Sequence, residues 1–299
     1  MEACLQHPEL FIITGDAGMG VFDKFQEELP DRYINLGIAE QNMIGFAAGM
    51  ALMGSRPVAY NIAPFVLYRP YEQVRNDICY QNLPVILVGT GCGLVYAPQG
   101  VTHYAVEDLG LARTLPNLQV ISPADVVEAR AAADYAVKCS TPVYVRLATG
   151  GSPTLHQAEL QDLSRQQVLR PGSGNAIVCY GQVAEEAVKA WEKLSAAGSA
   201  PLVLSLPLVS HFDRKALLSC LQGIKNVICL EEHFASCGLG LSLLELKAES
   251  AAPWKLIRQG LPAEFIYDVL NCAGMREKYG LSARALVELL SGLKAGGEA

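Results

Sequence analysis

The chain has 299 residues, 51% of them hydrophobic and 18% charged, which is ample apolar material for two cores. Its 30 acidic and 23 basic residues give a net charge of −7 with no Lys/Arg cluster, which argues against a nucleic-acid partner. The 9 cysteines are scattered without metal-spaced pairs. Their odd number, and the shortness of the apolar run Leu10–Ile13, predict buried thiols, a cytoplasmic setting and neither leader nor membrane span.

In chain order, residues 34–49 are the first informative stretch. Asn35, Gly37 and Ala39 end a strand and turn the chain. A helix then carries Met43, Ile44, Phe46, Ala47, Met50 and Ala51, apolar almost all round and so expected to be buried. Glu40 stands at its mouth, where a carboxylate out of water requires a partner. Free backbone N–H groups of its own helix would supply the commonplace one. Further on, Pro57–Ala63, Pro84–Thr90, Leu118–Ile121 and Pro142–Leu147 read as buried strands. Helical patterns lie around Tyr71–Tyr80, Leu109–Leu115 and Asp125–Val137. This alternation predicts right-handed crossovers and a parallel sheet. From Thr149 to Gly174 the chain turns polar and rich in Gly and Pro, which reads as a linker. A second alternation follows, with strands at Ala176–Tyr180, Pro201–Leu206 and Asn226–Leu230 and helices at Ala184–Ala196 and Arg214–Leu221. The expected fold is α/β, two consecutive open, mainly parallel-sheet domains at residues 1–150 and 175–299, joined by residues 151–174.

Gly37-Ile38-Ala39-Glu40-Gln41-Asn42 resembles the GIAEQN/GIAEQH motif in the pyrimidine-binding domain of transketolases and deoxyxylulose-phosphate synthases. Phe65, Gly100-Val101-Thr102-His103-Tyr104, Glu107-Asp108, Pro116-Asn117 and Ser122-Pro123-Ala124-Asp125 follow in that family's order and spacing. A weaker likeness, Glu231-Glu232-His233 and Gly238-Leu239-Gly240, continues into the family's C-terminal domain. The resemblance implies a thiamine-diphosphate enzyme. Such enzymes hold magnesium and the diphosphate in another domain, marked by Gly-Asp-Gly and a downstream Asn, and this sequence contains no Gly-Asp-Gly. The expectation is therefore the second subunit of a split enzyme. The partner subunit would carry the diphosphate domain and Mg²⁺, with two copies of each subunit and no metal ligand in this chain.

The resemblance also assigns roles. Glu40 would bond the cofactor's ring nitrogen N1′ and favour the imino tautomer that activates it. Phe65 would stack on the aminopyrimidine, with Ile38 and Asp16 as further cofactor contacts. The step from Phe65 to Arg69 is one residue longer than in the synthases. His103 would face the substrate and stabilise a developing alkoxide or move a proton. His233 reads as structural or interfacial. Gln99, Arg69, Arg146 and Thr149 are the candidate substrate contacts. Gln99 stands where the family has an Asp that recognises a sugar hydroxyl, and Thr149 where it has an Arg that grips phosphate. Those exchanges imply an acceptor other than a simple sugar phosphate.

The implied function is transfer of a two-carbon unit, glycolaldehyde from a ketose or acetyl from pyruvate. Two alternatives stand beside it: the beta subunit of a 2-oxo acid dehydrogenase's decarboxylating component, and a non-catalytic scaffold. A neighbouring reading frame with Gly-Asp-Gly and Asn separates enzyme from scaffold.

Overall fold

The first alternation folds into six strands, β1 (Leu10–Thr14), β2 (Tyr33–Asn35), β3 (Arg56–Ile62), β4 (Ile86–Thr90), β5 (Gln119–Ile121) and β6 (Val143–Leu147). In the computed structural model, which describes residues 2–151, 153–160 and 162–295, they form one sheet in the order β2-β1-β3-β4-β6-β5. Every neighbouring pair is parallel. Side chains alternate across such a sheet, so each strand feeds two cores. Ile13, Ala59, Leu87, Val120 and Tyr144 pack with Met43, Ile44, Ala47, Ala48 and Ala51 of the helix Glu40–Leu52. Leu10, Ile12, Ile86, Ile121, Val143 and Val145 face the helix Val126–Lys138 through Ala132, Ala136 and Val137. Asp125 caps that helix, accepting the Val127 and Glu128 N–H groups at 3.0 Å each.

Three expectations need correction. The helix Glu40–Leu52 buries only one stripe; Gln41, Asn42, Phe46, Gly49 and Leu52 are exposed, because a helix at a sheet's flank presents a single face to it. The helix expected at Tyr71–Tyr80 is a short α turn, Tyr71–Gln73, running into a π turn, Val74–Cys79, closed by Tyr80 N–H to the Arg75 carbonyl at 2.8 Å. The polar stretch after Thr149 contains a strand, β7 (Gln167–Arg170), held by the second sheet.

That sheet comprises β7, β8 (Asn175–Cys179), β9 (Leu202–Ser205), β10 (Asn226–Phe234) and β11 (Lys255–Leu261). Its order is β11-β10-β8-β9-β7, with β7 antiparallel to β9 and the rest parallel. Helices Ala184–Ala196 and Ala283–Ala295 cover one face, Arg214–Cys220 and Leu239–Ser250 the other. Residues 1, 152, 161 and 296–299, included in the expected domain limits, lie outside the described residues. The two domains meet through Ser122 N–H to the Pro207 carbonyl (2.8 Å), Val209 N–H to the Val120 carbonyl (2.9 Å) and Phe234 N–H to the Val106 carbonyl (2.9 Å).

Among the described residues no helix is long and apolar enough to cross a membrane. Cys4, Cys79, Cys92, Cys179 and Cys229 are buried and the other four partly so, all as free thiols. Burial pushes Cys79 and Cys92 up to about 12, which leaves them unreactive thiols.

Candidate active site

In the first sheet the chain leaves β1 toward β2 on one side, then returns to β3 on the other. A parallel sheet opens a crevice at such a reversal, outside the carboxyl ends of its strands. A cleft of about 480 Å³ lies there. Its walls are Gly15, Asp16 and Ala17 after β1, Ile38 and Glu40 after β2, Tyr60, Asn61 and Ile62 at the end of β3, Phe65 and Arg69 beyond it, Thr90 at the end of β4, and Tyr96 and His103 from the following loop. A larger cavity, about 560 Å³, lies between the two domains around Leu109–Leu118 and Val209–Arg214, and none of the expected site residues lines it.

Glu40 is only 7% exposed. Ala39 gives its helix no side-chain cap, and the Glu40 carboxylate turns instead to Arg69, whose Nη1 donates to Oε1 at 2.7 Å. The commonplace reading of Glu40 as a backbone-capped carboxylate is thus not what the structure shows. The same guanidinium lies over Phe65, its central carbon 3.8 Å from the ring centroid. Arg69 follows Phe65 by four residues, just past the helix Ala63–Leu67, and this spacing sets the two on one face. The His103 ring meets the Phe65 edge, with centroids 5.3 Å apart and planes at 70°. Its Nδ1 is 2.9 Å from Thr102 Oγ1.

The Asp16 backbone is left-handed, with φ of 57°, a region that Asp tolerates. Asn35 ties it in place. Asn35 Oδ1 accepts the Asp16 N–H at 3.0 Å and the Gly37 N–H at 2.9 Å, so one side chain joins the ends of β1 and β2 and positions Ile38 across from Asp16. Motif and periodicity do not single out Tyr60, Asn61, Thr90 and Tyr96, which the fold adds to the cleft. Tyr96 reaches it because Gly91, at φ +74°, has no side chain; a Cβ there would stand 2.0 Å from the Tyr96 ring.

Of the four residues expected to meet substrate, Arg69 alone lines the cleft. Gln99 is exposed outside it and Thr149 is half-buried beyond it. Arg146 is sealed at the seam between the domains, donating to both Asp108 oxygens, to Ser122 Oγ and to the Ala105 carbonyl. That network engages its guanidinium within this chain, outside the cleft. His233 is buried and interfacial, receiving the Gly110 N–H across the seam at 3.3 Å. Burial lowers it to about 4 and keeps it neutral. Glu231 caps the helix Leu239–Ser250 through the Leu239 and Gly240 N–H groups, at 2.8 and 3.0 Å. A Cβ on Gly238 would fall 2.0 Å from that carboxylate, which accounts for the glycine.

The sequence matches the family model "Transketolase, pyrimidine binding domain" over residues 2–152 and "Transketolase, C-terminal domain" over residues 164–284. It is 37% identical over 266 residues to one subunit of the apulose-4-phosphate transketolase of Actinobacillus succinogenes, covering 89% of this chain and 86% of that protein. It is 32% identical to 1-deoxy-D-xylulose-5-phosphate synthase of Syntrophus aciditrophicus, where it covers 94% of this chain but only 44% of the relative. A solved structure described as a split-gene transketolase in an inactive beta4 tetramer superposes with a TM-score of 0.86 at 32% identity, covering 97% of this chain and 93% of the other.

Proposed function

The chain belongs to the transketolase family, and from that premise we propose that it is the pyrimidine-binding subunit of a two-component transketolase, transferring a two-carbon unit from a ketose donor. The observation that carries this reading is the convergence of Glu40, Phe65 and His103 on one cleft. The match along most of both chains to a protein that is itself named as a single subunit of a transketolase supports the split. The ketose donor is supported by that relative's name. In this reading residues 1–150 bind the pyrimidine, residues 175–299 form the C-terminal domain, and the partner subunit carries the diphosphate domain and Mg²⁺, two copies of each assembling.

The family depends on thiamine diphosphate, and the cleft fits its aminopyrimidine end. The Arg69 guanidinium is itself a flat, N–H-bearing group lying on the Phe65 ring and bonded to Glu40. The space between this aromatic face and this carboxylate therefore admits a planar donor of that kind. When bound, the cofactor supplies a nucleophilic carbon and an electron sink for cleaving the bond beside a carbonyl. The residues of this chain prepare and serve that chemistry. Glu40, screened from water, holds the proton at ring atom N1′. Phe65 fixes the ring's plane, while Ile38, Tyr60 and Tyr96 keep water from its flanks. His103 moves a proton at the substrate's carbonyl oxygen, its ring orientation set by Thr102 and the Phe65 edge.

Calorimetric titration with thiamine diphosphate and Mg²⁺ tests the proposal. The purified chain alone should bind negligibly, and the reconstituted pair should bind and then turn over ketoses in preference to pyruvate. Tight binding by the isolated chain, or turnover of pyruvate alone, contradicts it.

A further inference from the structure

We propose that Arg69 occupies, in the free subunit, the seat that the cofactor's aminopyrimidine takes in the assembled enzyme, so that cofactor entry requires this side chain to leave. The inference rests on the assignment of Glu40 and Phe65 made above. Both groups that would receive the pyrimidine are already engaged by one guanidinium: Arg69 Nη1 is 2.7 Å from Glu40 Oε1, and its central carbon is 3.8 Å from the Phe65 ring centroid. One carboxylate oxygen and one face of one ring cannot hold a second planar group at the same time.

The arrangement has a physical reason. Without a counter-charge Glu40 would be a buried anion with no partner, which is costly. Arg69 reaches in from the rim, its side chain 49% exposed, so it can withdraw into solvent without unfolding anything. Its main chain stays anchored, with the N–H on the Pro64 carbonyl at 3.2 Å. Exchange is therefore a side-chain rotation. The apparent cofactor affinity equals the intrinsic affinity reduced by the fraction of molecules in which Arg69 is out of the seat. The position of Arg69 four residues after Phe65 is what lets it lie on the ring; a shift of one residue would rotate it about 100° around the helix.

The experiment measures thiamine diphosphate binding to the reconstituted pair at saturating Mg²⁺, by calorimetry, for wild type, Arg69→Leu and Arg69→Lys. Thermal unfolding of the free subunit is followed in parallel. Arg69→Leu should tighten binding roughly five- to thirtyfold, because it empties the seat and leaves Glu40 uncompensated until cofactor arrives. The same substitution should lower the melting temperature of the free subunit, and saturating cofactor should abolish that difference in the pair. Arg69→Lys, which keeps the charge but not the flat stack, should fall between. Binding by Arg69→Leu that equals or is weaker than wild type overturns the inference while leaving the site assignment standing. A wild-type pair that binds no cofactor overturns the site assignment, and this inference with it.

Discussion

Arg146 and Asp108 pair within the first domain, against the seam where Tyr180 and His233 of the second domain lie, with Nε donating to Oδ2 at 2.6 Å and Nη2 to Oδ1 at 2.9 Å, and both side chains are closed to solvent. Tyr144 adds a hydroxyl to Oδ2 at 2.9 Å. Burial alone would raise the Asp108 carboxyl, but the charge and hydrogen bonds of Arg146 outweigh it and hold the group below the usual carboxylate range. Asp108→Asn should therefore cost roughly 3–5 kcal/mol, because it strands a buried guanidinium. Urea denaturation of the isolated chain measures this. A loss under about 1 kcal/mol would show that this buried pair does not hold its part of the fold together.

A second charged cluster predicts a pH dependence. His156 Nδ1 is 3.0 Å from Asp125 Oδ2, and its Nε2 is 3.4 Å from Glu128 Oε1. The Leu155 and His156 N–H groups also reach Asp125, at 2.7 and 2.9 Å, so this cluster fastens the segment after Thr149 to the first domain. Burial lowers His156, but its bond to Asp125 and the charges of Glu128 and Asp125 more than reverse this, and it ends above 6.5. Burial raises Glu128 from 4.5 to about 7. Both folded-state values are raised, so both contributions are complete below the unfolded values and are lost as pH rises through the folded ones. The melting temperature should accordingly fall from about pH 4.5 to 7 as Glu128 ionises and go on falling above 6.5 as His156 loses its proton, and Glu128→Gln should flatten the lower part of that fall. A profile that rises across the same window contradicts the assignment.

In the function proposed above, His103 acts on substrate oxygen and not on the cofactor. In the reconstituted pair His103→Asn should lower kcat by roughly 10²- to 10⁴-fold. Cofactor Kd should change by less than about threefold, since no ground-state cofactor contact is removed. Steady-state kinetics together with calorimetry separate the two readouts. Unchanged kcat would place His103 among the structural histidines with His233.

The parts of the site that are legible in the sequence are those carried by contiguous motifs. Glu40 and Ile38 share one turn, Phe65 lies in a short helix with Arg69 just past its end, and His103 sits in its Gly-x-Thr-His setting; Asp16 lies two residues past β1, and all six line the cleft. Tyr60, Asn61 and Thr90 are not legible because each is an ordinary strand-end residue until the order β2-β1-β3-β4 brings those ends together. Tyr96 depends on a backbone turn at Gly91 that periodicity does not reveal. Arg146 gives no sign in the sequence of its partner, Asp108, which lies 38 residues away and meets it only in the folded first domain. The strand β7 is hidden for a similar reason. It is an edge strand with few apolar residues, and its pairing with β9 supplies what its own sequence does not. The exposed face of the helix Glu40–Leu52 shows the opposite limit. Apolar residues all round a helix predict burial, whereas Phe46 and Leu52 are exposed.

The most direct measurement is turnover by the reconstituted pair carrying Glu40→Gln, which preserves size and hydrogen bonding but removes the acid at N1′. The account predicts that the pair still assembles and that ketose-dependent turnover falls by roughly two or more orders of magnitude. Near-normal turnover would contradict it and return Glu40 to the role of a buried partner for Arg69.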